Sequence, residues 1–122
     1  MPKWQAASHF TVSGSYLGDK TTSDANDGFA KSQDVNCMDD TDTQVAHPIY
    51  RAMGTVCCDS DGVGTRPGCK KGSFEVAKKH CESEGQTLCT LEQLKGGAGE
   101  ASGCGFDRNM VWSSTLCSTQ AR

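Results

Sequence analysis

The clearest hydrophobic pattern in the chain runs from Ser73 to Leu94. Phe74, Ala77 and Cys81 recur three and four residues apart and so share one face of a helix. Ser73 stands where an N-cap hydroxyl takes an amide proton left free in a first turn. Glu75 suits the positive end of the helix dipole, Lys79 lies one turn beyond it, and Gly85 supplies a left-handed stop. After a short apolar step at Leu88 and Cys89, Thr90 and Gln93 form a capping box. The box predicts a second, shorter helix carrying Leu91 and Leu94, ended by Gly96 and Gly97.

Outside this stretch the pattern is weaker. Residues 1–18 alternate loosely, with Phe10 and Val12, then Tyr16 and Leu17, on either side of Ser13-Gly14-Ser15, which predicts a strand and a turn. Asp19 to Asp42 is polar, with Phe29, Val35 and Met38 as its few apolar anchors, and reads as a long surface excursion pinned by Cys37. Val45 to Cys58 regains strand character through Ile49, Tyr50 and Val56. Asp59 to Gly72 is turn-forming and closed by Cys69, and the glycine-rich stretch Lys95 to Gly105 is a loop. Phe106, Met110, Val111 and Trp112 then open a buried strand that ends near Cys117, and 118–122 is a tail. The reading is a single stapled domain over 1–122, with a strand and polar excursion over 1–55 and a core over 56–117.

Composition narrows the class. Eight cysteines in 122 residues form an even set dense enough for a disulfide framework, which places folding in an oxidising compartment. An extracellular or secreted location is expected, with an oxidising organelle lumen as the alternative. Met1 to Gln5 holds no apolar run of signal-peptide length, so the targeting segment is expected outside this numbering, or the chain is a piece of something longer. A net charge of −3, from 12 basic and 15 acidic residues, leaves no footprint for nucleic acid or anionic lipid. No stretch approaches a membrane span.

Phe74, Ala77, Cys81, Gly85 and Leu88 match aromatic-x-x-A-x-x-x-C-x-x-x-G-x-x-L at every position. On these residues the second half of the chain, from Val56 on, resembles the C-type-lectin-like fold and its Link-module relatives. T-V-C-C-D, A-x-x-x-C-x-x-x-G-x-x-L-C-T-x-x-x-L and G-C-G-F-D-x-x-x-V-W-S-S are closer still to cysteine-rich modules of large secreted proteins of algae and other microbial eukaryotes. The resemblance implies a small disulfide-rich α+β domain with two short helices, an antiparallel sheet and long loops. It also implies that Cys81 pairs with Cys117 and Cys89 with Cys104, leaving Cys37, Cys57, Cys58 and Cys69 to pair among themselves in one of three ways. The sugar-binding triplets of such lectins, E-P-N or Q-P-D and W-N-D, are missing: Trp112 precedes Ser113 and Ser114, and the 95–105 loop has Glu100 as its one acidic side chain. Calcium needs six to eight oxygen ligands, so calcium-dependent sugar binding is not expected.

The remaining chemistry is sparse. Adjacent cysteines on a strand face opposite ways, so Cys57 and Cys58 are expected in two separate bridges. Cys57, Cys58, Cys69, His80 and Cys81 do not have the spacing of a zinc finger, and no metal or other cofactor is expected. The acidic runs after Cys37 and at Asp59 to Gly62 lack the bidentate Glu of a calcium loop and read as solvated turns. No catalytic motif appears, and His9, His47 and His80 are far apart. Trp112 is expected in the core. Asp107, Arg108 and Asn109, with Glu100, are the candidate partner contacts, because polar side chains on a loop held by a rigid body are where binding usually sits. The expected role is a non-catalytic recognition module with a protein or glycan partner. The alternatives are a structural subunit of a large assembly on a cell or virion surface or in an organelle lumen, and a thiol-active redox protein.

Overall fold

The computed structural model describes residues 7–14, 35–44, 51–99, 104, 106 and 109–119. Two strands carry its larger sheet, β1 (Ala7–Ser13) and the strand that closes the described chain, β7 (Met110–Thr119). They pair antiparallel at the centre of the order β2-β1-β7-β3, where β2 is Val35–Asp39 and β3 is Gly54–Thr55. β3 joins β7 in parallel, so the sheet is antiparallel except at that edge. A second sheet sets β4 (Cys57–Cys58) between β5 (Gly64–Thr65) and β6 (Thr87–Leu88), both antiparallel to it. The chain passes from one sheet to the other at Val56.

Alternation within these strands builds two cores. Met110 and Trp112 of β7 join Met53, Cys57, Phe74, Ala77, Cys81 and Leu88 in one cluster, whereas Val111 joins Val12, Val56, Cys58, Cys89, Leu94 and Phe106 in the other. Successive residues of a strand point to opposite faces, so each of these short segments feeds both clusters at once. Trp112 and Phe106 are fully buried, and burying a side chain of Phe size contributes about 1.5–3 kcal/mol. The Trp112 indole Nε1–H donates to the Gly72 carbonyl at 2.8 Å, so its one polar atom is satisfied. Arg66 is also buried; its guanidinium donates to the Gly14 carbonyl at 3.0 Å and lies over the Phe106 ring.

Both helices form where local rules place them. Helix α1 (Phe74–Ser83) buries Phe74, Ala77 and Cys81, and Gly85 follows at φ 72°, a left-handed position that only glycine adopts at little cost. Its start differs from expectation. Ser73 makes no side-chain cap, and the first amide, that of Phe74, donates instead to the Asp40 carbonyl at 3.2 Å. This bond satisfies one of the free amides of the first turn, though not one that a Ser73 hydroxyl would take, which is that of residue 75 or 76. Helix α2 (Leu91–Lys95) has its full capping box, with the Thr90 hydroxyl accepting from the Gln93 amide at 3.1 Å and Gln93 Oε1 accepting from the Thr90 amide at 2.8 Å.

All eight cysteines are bonded, as Cys37–Cys117, Cys57–Cys81, Cys58–Cys89 and Cys69–Cys104. The expected division of Cys57 and Cys58 between two bridges holds. The pairings implied by the lectin-like resemblance do not: Cys81 bonds Cys57 rather than Cys117, and Cys89 bonds Cys58 rather than Cys104. The reason is geometric. Cys57 pairs with Leu88 in the small sheet, which puts Cys57 under α1 and Cys58 beside Cys89, while Cys117 lies toward the far end of β7 and bonds Cys37 of β2 across β1.

Three further expectations are corrected. The polar excursion over Asp19 to Asp42 contains β2, an edge strand whose partner β1 supplies the apolar face. The turn-forming stretch after Asp59 contains β5, and the tail begins later than residue 118 because β7 runs to Thr119. The expectations for Tyr16, Leu17, Phe29, Ile49 and Tyr50 lie outside the described residues.

Candidate functional site

A groove of about 600 Å³ runs along one flank of α1. One wall is the exposed side of that helix, with Glu75, Lys78 and Glu82 spaced three and four apart and therefore on one face. The other wall runs from Thr87 of β6 through Thr90 and Gln93 at the start of α2 to Ser114 of β7. Phe74 and Leu88, 7 % and 4 % exposed, form the apolar floor. His9 and Asp40 close one end.

A wide irregularity of β7 brings the far wall into place. Between the pairs Thr11↔Trp112 and His9↔Leu116, β1 advances two residues and β7 advances four. Residues 113–115 therefore arch away from β1, and Ser113 ties the arch down by donating its hydroxyl to the Phe10 carbonyl at 2.8 Å. On its outer side the Ser114 amide donates to the Cys89 carbonyl at 2.8 Å, and Thr115 Oγ1 accepts from the Leu91 amide at 2.9 Å. The arch is thus bonded to the first turn of α2.

The closed end is held by His9. Its ring stacks on Phe74, with centroids 3.7 Å apart and planes 12° from parallel, and Phe74 in turn meets Trp112 edge to face at 5.8 Å. His9 Nδ1 lies 2.6 Å from Asp40 Oδ1 and donates to it when the carboxyl is ionised. Burial raises the Asp40 pKa above the usual carboxylate value; His9 beside it works the other way, and the nearby charges of Glu75 and Asp39 add to the rise. Asp40 also takes the Phe74 amide on its carbonyl and gives its own amide to Ala7, so β1, the end of β2 and the start of α1 converge there.

Two adjacent residues fix the walls. Cys57 bonds Cys81 in the last turns of α1, and Cys58 bonds Cys89, next to the Thr90 cap of α2. Each wall is thereby anchored to the same two-residue strand. A smaller depression of about 360 Å³ lies beyond Thr87, lined by Asp59, Ser60, Gly85 and Gln86. Asp59 is committed to its own turn there, its Oδ1 accepting from the amides of Asp61 at 2.9 Å and Val63 at 3.0 Å.

The partner contacts expected from sequence fare differently. Asn109 is 5 % exposed and is corrected from a contact to a structural residue: its side chain donates to the Ala52 carbonyl at 2.8 Å, and its carbonyl accepts from the Gly14 amide at 3.0 Å. It sits where three segments meet just before β7 and must satisfy their backbone groups. Asp107, Arg108 and Glu100 lie outside the described residues, as does His47. Among the described residues no group of three or more His, Cys, Asp or Glu is placed to hold a metal ion, and His80 Nε2 lies 2.6 Å from the Pro67 carbonyl. No described helix is long and apolar enough to cross a membrane.

Little in the local sequence announces the groove. His9 and Asp40 are 31 residues apart, and only the polar positions 75, 78 and 82 of α1 left a local signal for one of its walls. No protein-family model, no curated protein and no solved structure matches the chain.

Proposed function

We propose that the chain is a non-catalytic recognition module of the extracellular space or another oxidising compartment, and that the groove beside α1 is its binding surface for a protein or glycan. The observation that carries this reading is the double anchorage of the walls through Cys57–Cys81 and Cys58–Cys89. A concavity whose sides are cross-linked before a ligand arrives loses little entropy on binding, which is the physical advantage of preorganisation. Its volume falls within the ~300–1,000 Å³ typical of ligand sites. Four disulfides suit the compartment.

The reading keeps kinship with the C-type-lectin-like fold on one ground, the order of α1, β6, α2, loop and β7. The disulfide pairing lends that kinship no support, so the function rests on the groove instead. The test is an array of glycans and secreted proteins probed with the oxidised chain and two variants. Reversible binding that Ser114→Trp abolishes, by filling the groove, and that Val63→Ser spares is the expected result. Binding indifferent to Ser114→Trp would place recognition elsewhere.

A further inference from the structure

We infer that the groove accepts a basic side chain, lysine or arginine, presented by a partner polypeptide; this narrows the recognition reading above and rests on it. Three carboxylates, Asp40, Glu75 and Glu82, line the groove against the single ammonium of Lys78. His9 pairs with Asp40, whereas neither Glu75 nor Glu82 forms an ion pair within 4.0 Å among the described residues. Both are exposed on the α1 wall. Lys78 on the same face offsets one of these charges, so the wall keeps a small excess of negative charge.

The floor decides between partner classes. A sugar ring is usually gripped on an open aromatic face, and the groove has none: Phe74 is 7 % exposed, with His9 stacked on it. What Phe74 and Leu88 offer is a narrow apolar strip below the carboxylates. A lysine or arginine suits both features, laying its methylene stem on the strip and its charged head among the oxygens. Charge-assisted hydrogen bonds of that kind are the stronger ones, and arginine adds a forked geometry for two carboxylate oxygens.

The oxidised full chain is panned against displayed random heptapeptides, and the best peptide is titrated into isotope-labelled protein while backbone amide shifts are followed. The expected result is enrichment of lysine or arginine, shifts concentrated at residues 75–90, and weakening by salt as exposed charges are screened. Glu75→Gln with Glu82→Gln should weaken the peptide by about tenfold, and Lys78→Gln should tighten it. Because these positions are exposed, an unchanged amide spectrum of each free variant certifies its fold. Selected peptides without a basic residue that shift the same amides would overturn the cation preference while leaving groove recognition intact. Shifts confined to other surfaces, or no selectable peptide, would overturn both.

Discussion

Cys37 and Cys117 have Cα atoms 5.9 Å apart although their strands lie on opposite sides of β1. Neighbouring strands are spaced by about 4.8 Å, so two strands flanking a third in a flat sheet stand roughly 9–10 Å apart. Cys37 and Cys117 can meet only if the sheet curls over β1, and the β1–β7 register is irregular beside the bridge, shifting between Ser8 and His9 and again between His9 and Thr11. Bulges of this kind increase local twist and bend a strand. The bridge closes the longest interval of the four, 80 residues.

Replacing Cys37 and Cys117 together by Ala is expected to lower stability by about 3–4 kcal/mol, chiefly by freeing the unfolded chain. The helical signal of the folded protein should persist, because α1 and α2 are tied by other bridges. Denaturant midpoints of the oxidised variant and parent measure the loss. A change below about 1 kcal/mol would mean that the curl holds without its clasp.

The two helix starts separate a formed cap from an apparent one. Thr90→Ala removes a hydroxyl that accepts the Gln93 amide and should cost about 1 kcal/mol. Ser73→Ala removes a hydroxyl that makes no cap bond and should stay within about 0.5 kcal/mol. Equal losses at the two sites, read from thermal or denaturant unfolding, would contradict the assignment.

That pair also shows how far the sequence could be read. The Thr90 box, the Phe74-Ala77-Cys81 stripe and the opposed directions of Cys57 and Cys58 depend on residues within one turn or one pleat, and all three are present in the fold. Trp112, expected in the core, is fully buried. Ser73 looks like a cap by the same local rule, yet its side chain makes no cap bond, and the first-turn amide of Phe74 is instead met by the Asp40 carbonyl from a distant part of the chain. Val35 to Asp39 carries too few apolar residues to announce an edge strand; its partner β1 decides its state. The disulfide partners and the His9–Asp40 end of the groove are tertiary facts, set by which strands meet. Asn109 illustrates the converse error, a polar residue of a loop that turned inward to bond Ala52.

The pH response of Asp40 follows from the direction of its shift. Its pKa is raised in the fold, mainly by burial, so between the unfolded and folded values the native chain binds more protons than the unfolded one. The stability contributed by the neutral carboxyl is present in acid and is lost as pH rises through the folded pKa. Asp40→Asn keeps a neutral acceptor for His9 and removes that loss. Its stability relative to the parent should therefore be more favourable at about pH 7 than at about pH 3.5, as read from urea midpoints. A relative stability that is constant, or that moves the other way, would show that attraction to His9 outweighs burial.

The most direct measurement is the sulfur connectivity of the native oxidised protein, obtained by partial reduction, alkylation and mass spectrometry with cleavage between Cys57 and Cys58. The groove with two anchored walls requires Cys57–Cys81 and Cys58–Cys89, accompanied by Cys37–Cys117 and Cys69–Cys104. Recovery of Cys81 bonded to Cys117, or of Cys89 bonded to Cys104, would detach the walls from their common strand and contradict the account.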